Sequence, residues 1–235
     1  MNKIIFFSIF VIAQFFQAAN CENVRVVRTQ KISSFENNFI VETIVKSTDN
    51  LHFAYIVKYD GHMYLVHDSE KYLNYNNIKT DSLVFSPDGK RLAYIVNESS
   101  NVYFVAINGV RQYGKNLADI KSKSLIFSPD SQHLMFIGKD FERWFVVVDN
   151  KEGQQFDEIF ENSFVFSPDS RHIAYLAKYF DKIYVVIDDN RGDGYEYFPP
   201  WSTLSWSSPT TLSYLLLDIH NDIYNIKETL VPKKK

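Results

Sequence analysis

The stretch "LVFSPDGKRLAYIV", Leu83 to Val96, decides the fold of this chain. Two apolar runs flank a Ser-Pro-Asp-Gly bend. The arrangement returns as "LIFSPDSQHLMFIG" (Leu125 to Gly138) and "FVFSPDSRHIAYLA" (Phe164 to Ala177). Proline fixes the backbone angle at the first central turn position, and Asp followed by Gly or Ser favours the rest of the bend. Anchoring each copy on its late aromatic residue gives Tyr55, Tyr94, Phe136, Tyr175 and Tyr214, at intervals of 39, 42, 39 and 39. Six residues before each anchor stand Asp49, Asp88, Asp130, Asp169 and then Ser208. Nine residues after stand Tyr64, Tyr103, Phe145, Tyr184 and, one place late, Tyr224.

Runs of five to seven residues with period-2 alternation, separated by turn residues, predict strands joined by hairpins. After the leader, no segment sustains an apolar 3.6 period over a helix length. Each copy of about 40 residues is therefore expected to form a four-stranded antiparallel sheet, the size of one β-propeller blade. Five anchors predict an all-β, five-bladed β-propeller. The last copy is degenerate, so the segment Asn23 to Ser33 is expected to pair there as the missing outer strand and close the ring. A ring completed by a second subunit is the alternative.

The segments "FSPDGKRLAYIV…VYFVAING", "FSPDSQHLMFIG…WFVVVDNKEG" and "FSPDSRHIAYLA…IYVVIDDNRGDG" also carry a family resemblance. They are similar to the WD-like repeat of TolB-type propellers, and more closely to tandem repeats of bacterial exported proteins. The resemblance runs from about Phe39 to Ile226. It implies the propeller fold and leaves function open, since propellers host many unrelated activities. TolB-type proteins carry an α/β domain ahead of the propeller; here a short segment separates Cys21 from the first copy, so that family's partner contacts are not carried over.

With 46% hydrophobic and 16% aromatic residues, the composition supports a packed core and excludes disorder. The net charge of −3 gives no basic field for nucleic acid. "MNK", the apolar run Ile4 to Phe16 and the small residues before Cys21 have the layout of a signal peptide over residues 1–20, and the run is short for a membrane span. Residues 21–235 are then one propeller domain. Cys21 is the single cysteine, so no intrachain disulfide forms. Its position resembles a lipoprotein box, with Ala at −3 and Asn at −1 departing from the usual pattern. Ordinary cleavage after Ala19 is the equal alternative.

Candidate site residues follow from the repeat. The turn carboxylates Asp49, Asp88, Asp130 and Asp169 are expected to accept backbone N–H groups in their own turns rather than to do chemistry. Three residues on, His52, Arg91, His133, His172 and Thr211 share a register. A buttressing Asp–His contact is expected there, and a metal-holding or anion-holding ring is the weaker alternative. Lys58, Asn97, Lys139, Lys178 and Leu217 end the second strands as a solvated edge, with Tyr59, Phe141, Tyr179 and Phe180 nearby as an alternative binding rim. "DDNRGDG" (Asp188 to Gly194) is read as a hairpin turn before it is read as a calcium loop or an Arg-Gly-Asp ligand. The least repeat-like segment clusters Tyr195, Tyr197, Phe198, Trp201 and Trp206; it is the candidate binding patch, with seam filling as the competing role.

Catalytic signatures are absent: no Gly-x-Ser-x-Gly, no phosphate-binding loop and no His-Glu-x-x-His. The expectation is a non-catalytic exported protein, periplasmic, outer-surface or secreted, without cofactor or metal. Its partner would be an unknown protein at the cell envelope, with membrane contact only through a lipid anchor or signal sequence. A carbohydrate-binding propeller is the runner-up, with a glycan as ligand, and a small propeller hydrolase comes third.

Overall fold

A computed structural model describes residues 11–12, 29–30, 40–59, 61–68, 70–112, 115–217, 220 and 222–231. The expected signal peptide, apart from Val11–Ile12, and Cys21 lie outside the described residues. The chain is all-β. Among the described residues, the two-stranded pair of Val11–Ile12 with Thr29–Gln30 precedes five antiparallel sheets that follow one another along the sequence, and the helical content is two 3-10 turns, Ser122–Ser124 and Glu161–Ser163.

The first sheet has four strands in sequence order: Ile40–Lys46, Phe53–Tyr59, His62–His67 and Glu70–Tyr75. The next three keep that order but break the first strand in two. In the second sheet both Asn77–Ile78 and Val84–Phe85 pair with Leu92–Ser99, followed by Val102–Ile107 and Val110–Arg111. The third and fourth are built alike around Leu134–Asp140 and Ile173–Tyr179. A buried serine sits at each break. The hydroxyls of Ser82, Ser124 and Ser163 donate to the carbonyls of Lys79, Lys121 and Phe160, and accept the N–H of Ile95, Ile137 and Leu176 at 2.9 Å. The kinked backbone thus keeps its polar groups satisfied without water.

The core lies between sheets. Ala54, Ile56 and Leu65 of the first sheet meet Leu92, Tyr94 and Phe104 of the second. Ala93, Ile95 and Val105 on the opposite face of that second sheet meet Leu134, Phe136 and Phe145 of the third. Two more seams join the third sheet to the fourth and the fourth to the fifth. Leu92 to Val96 are accordingly all buried. This corrects the expected half-buried alternation: with a sheet on either side, both faces of the second strand are covered, so its sequence is a continuous apolar run. Each sheet needs its neighbour, which is the physical reason for repetition. The third sheet makes room for its seam at Gly138, where a Cβ would lie 2.7 Å from Leu117.

The fifth sheet has three strands, Ser205–Ser208, Thr211–Leu217 and Ile223–Thr229. Thr29–Gln30, the described part of the expected closing strand, pairs with Val11–Ile12 and not with Ile223–Thr229. Among the described residues, no core cluster joins the fifth sheet to the first; Tyr55, Val57 and Val66 form a small separate cluster on the first.

Candidate functional site

Every sheet has two ends. One carries the bend between its first and second strands, Ser-Pro-Asp in the second to fourth sheets and Ser47-Thr48-Asp49 in the first. The other carries the tip of the hairpin between its second and third strands. At the bend end the carboxylates of Asp49, Asp88, Asp130 and Asp169 accept the serine hydroxyl two residues earlier and the N–H two residues later. The serine hydroxyl bond is the main reason their pKa values fall below the ordinary carboxylate range. The next residue is left-handed in each turn: Asn50, Gly89, Ser131 and Ser170 have φ between +59° and +72°. Serine tolerates this strain because its hydroxyl is used. Ser131 Oγ accepts the Asp88 N–H and Ser170 Oγ the Asp130 N–H, both at 3.0 Å, fastening each bend to the one before it. The second bend offers Gly89 instead, and a Cβ there would meet the His52 ring at 3.1 Å.

The histidine register is organised by residues that lie further along the chain. His52, His133 and His172 each place Nδ1 against the carboxylate of Asp68, Asp149 and Asp188, at 2.5 Å for the last two. Those aspartates open the hairpin between third and fourth strands with φ of +46° to +48°, and their other oxygen accepts the N–H of Phe53, Leu134 and Ile173. The second sheet changes both partners together. Arg91 replaces the imidazole and Asn108 the carboxylate, and Asn108 Oδ1 still accepts the Leu92 N–H at 2.8 Å. Thr211 meets Thr229 in the fifth. Each pair is local to its own sheet. The dipeptides Asn108-Gly109, Asp149-Asn150 and Asp188-Asp189 were the signal for these turns; the side-chain pairing across 16 residues had none in local spacing.

One sheet departs from the pattern. Position 67 is histidine where the others have Ile107, Val148 and Ile187. His67 Nε2 lies 3.4 Å from Asp68 Oδ2, the oxygen that also takes His52, and potential ligand atoms of the three residues lie within 4.8 Å of one another. The bond to Asp68 raises the His52 pKa above its ordinary value.

Between the third and fourth sheets the bend end forms a cleft of about 560 Å³, lined in part by His133, Asp149, Lys151, Arg171 and Asp188. Its charges are mixed and mostly committed to the pairs above.

The five aromatic residues of the proposed patch do not form one surface. Phe198 is buried in the last seam, where Tyr195 and Trp206 also pack. Trp206 stacks on His172 at 6.0 Å, and the Tyr195 hydroxyl lies 3.1 Å from that of Tyr214. Tyr197 and Trp201 are exposed. Seam and surface share the segment.

At the tips, Lys58 and Lys178 are exposed, and Lys139 lies 5.2 Å over the Trp144 ring with Lys121 at 5.0 Å. Asn97 bonds the Ser99 carbonyl, and Leu217 is half-buried. Phe141 and Phe180 stand at the same tip position of adjacent sheets, 87% and 67% exposed, with φ of +51° and +52°. The first sheet uses Gly61 at its tip. Arg191, Gly192 and Asp193 sit within the strand Asn190–Tyr195, with Arg191 over the Tyr179 ring at 4.8 Å.

No protein-family model matches the chain, and no curated protein does. Among solved structures it is similar to TolB from Acinetobacter baumannii, at 12% identity over 80% of this chain and 52% of that one, with a TM-score of 0.42. It is also similar to the putative TolB from Agrobacterium tumefaciens, at 12% identity over 81% of this chain and 82% of that one, TM-score 0.42. A third is the β-propeller domain of Cps50 (Swd1) from Myceliophteria thermophila, at 13% identity over 81% and 71%, TM-score 0.42. The chain thus spans about half the length of the A. baumannii TolB. These neighbours are propellers of the TolB and WD kinds.

Proposed function

We propose that this chain is a non-catalytic, exported five-bladed propeller whose hairpin-tip end binds a protein at the cell envelope. The five sheets are its blades. The observation that carries the binding role is the pair Phe141 and Phe180. A bulky side chain at positive φ costs on the order of 1–3 kcal/mol. Here two phenylalanines bear that cost at the first residue of neighbouring tips, with their side chains largely exposed. Stability does not select such residues; an aromatic anchor for a partner does.

The test is site-specific photo-crosslinking in the native host, with a benzophenone amino acid at Phe141, at Phe180, or at Lys90 on the bend end. A discrete protein adduct from the tip positions and none from Lys90 is expected. Absence of tip adducts, or adducts from Lys90 alone, overturns the assignment. Sugar binding lost on Trp201→Ala would favour the glycan alternative instead. Export is tested separately with a palmitate analogue. Label lost in Cys21→Ala marks a lipid anchor, and an unmodified Cys21 behind a cleaved leader marks a freely exported protein.

A further inference from the structure

The seam between the first and second sheets holds a polar group where its sister seams hold none. Ile107, Val148 and Ile187, each just before its turn Asp or Asn, pack against the neighbouring hydrophobic clusters. In the first sheet the same place is taken by His67, whose side chain is 11% exposed and whose ring lies 5.4 Å from that of Phe85 in the second sheet. Moving an imidazole into a slot built for an aliphatic residue is unfavourable unless its nitrogen has a use.

The His52–Asp68 pair is the device found again at His133–Asp149 and His172–Asp188. Among the described residues, only in the first sheet does a second imidazole nitrogen approach the same carboxylate oxygen, at 3.4 Å. Two imidazoles and one carboxylate form a donor set suited to Zn²⁺. With metal–ligand distances of about 2.0–2.2 Å, ligands of a tetrahedral zinc stand roughly 3.3–3.5 Å apart. The His67–Asp68 separation already has that spacing. The short His52–Asp68 contact is what a proton holds together in the metal's place.

We propose that His52, His67 and Asp68 form a zinc-binding site at the bend end of the first sheet. Zn²⁺ takes His52 Nδ1, His67 Nε2 and one Asp68 oxygen, with the remaining position open to water from the exposed side of Asp68. The proton shared by His52 and Asp68 leaves to solvent as the ion enters. Loaded, the site crosslinks the start of the second strand to the end of the third and fixes His67 against the next sheet.

The sister sheets supply conservative test variants. His67→Val installs the residue found at Val148, and Asp68→Asn the one found at Asn108, which keeps the turn's backbone bond. Full-length protein and both variants, each also carrying Cys21→Ser to remove the thiol, are titrated with Zn²⁺ by calorimetry and with Co²⁺ by absorption. One ion per chain is expected, with the visible bands of a low-symmetry Co²⁺ site. At a hundredfold excess over Kd, zinc should raise Tm by about 5 °C or more. Both variants should remain folded without metal and lose affinity at least about tenfold, the usual scale for losing a group that holds a metal. No saturable binding by the parent overturns the proposal, and so does binding of unchanged affinity in folded His67→Val.

Discussion

The two ends of the sheets follow opposite rules. At the bend end of the first four sheets serine, carboxylate and left-handed residue recur at the same positions, and in three of them an imidazole is bonded across the hairpin to a second carboxylate. At the tip end almost nothing recurs. Phe141 and Phe180 are left-handed at the first residue of their tips, whereas Asn101 and Gly61 are left-handed at the second residue of theirs. The bend end is where sheets are fastened to each other, so every copy must solve the same problem. At the tip end Asp157 links Arg143 of the third sheet to the Phe180 N–H of the fourth, but the residues there differ from copy to copy and can specialise. In a repeat protein, what repeats reports the fold, and function is to be sought where the copies diverge.

The contrast predicts stability losses at one end and gains at the other. The largest loss is expected for Ser124→Ala. It strands the buried Ile137 N–H, and denaturant unfolding should show about 2–3 kcal/mol less stability. Asp149→Ala should cost about 1–2 kcal/mol, and Asp149→Asn should recover much of it, because Asn108 makes the same backbone bond in the second sheet. A smaller loss, about 1 kcal/mol, is expected for Ser170→Ala. Ser170→Gly should be close to neutral, since relief at positive φ offsets the lost hydroxyl. The sign reverses at the tips: Phe141→Asn or Phe180→Gly should add a few tenths to about 1 kcal/mol while abolishing the photo-crosslinked adduct of the neighbouring tip. A destabilised tip variant would break the comparison.

A pH series sharpens it further. The bend carboxylates titrate below their ordinary range, so their contribution is complete above the unfolded carboxylate value of about 4 and is lost as pH falls through the folded values. His52 titrates above its ordinary value; its contribution is complete below about 6.5 and is lost as pH rises through the folded value. Thermal unfolding without metal should therefore be most favourable to the fold between these limits. Asp68→Asn should flatten the upper side alone.

Much of the bend end was legible in the sequence because its residues are neighbours in the chain. The turn serine, proline and carboxylate fall within four positions, and their repetition at near-constant intervals announces the unit. The Asp–His pairing was only half legible. The imidazole register could be seen, but its partners stand 16 residues away across a hairpin. Ser82, Ser124 and Ser163 were invisible for a different reason: a serine ahead of an apolar run looks like solvent-facing punctuation until the second flanking sheet buries it. The aromatic segment misled because composition does not say which ring points inward. Phe198 and Trp201 are three residues apart, one in the seam and one in water.

The bonds from bend to bend run in sequence from the second sheet to the fourth. Asp88 reaches Ser131 and Asp130 reaches Ser170, while Lys79 holds Asp119 and Lys121 holds the Ile159 carbonyl. Gly89 offers the first sheet no hydroxyl, and that seam has the Tyr75–Tyr94 hydroxyl contact instead. The fifth sheet meets the fourth through the Tyr195–Tyr214 hydroxyls, the Trp206 N–H on the Val165 carbonyl and the stacking of Trp206 on His172. Amide protons should record this as a hierarchy of opening. Those of Leu92–Ser99, Leu134–Asp140 and Ile173–Tyr179 should exchange together and last, as one cooperative block, while the strands of the first and fifth sheets open ahead of them as separate units.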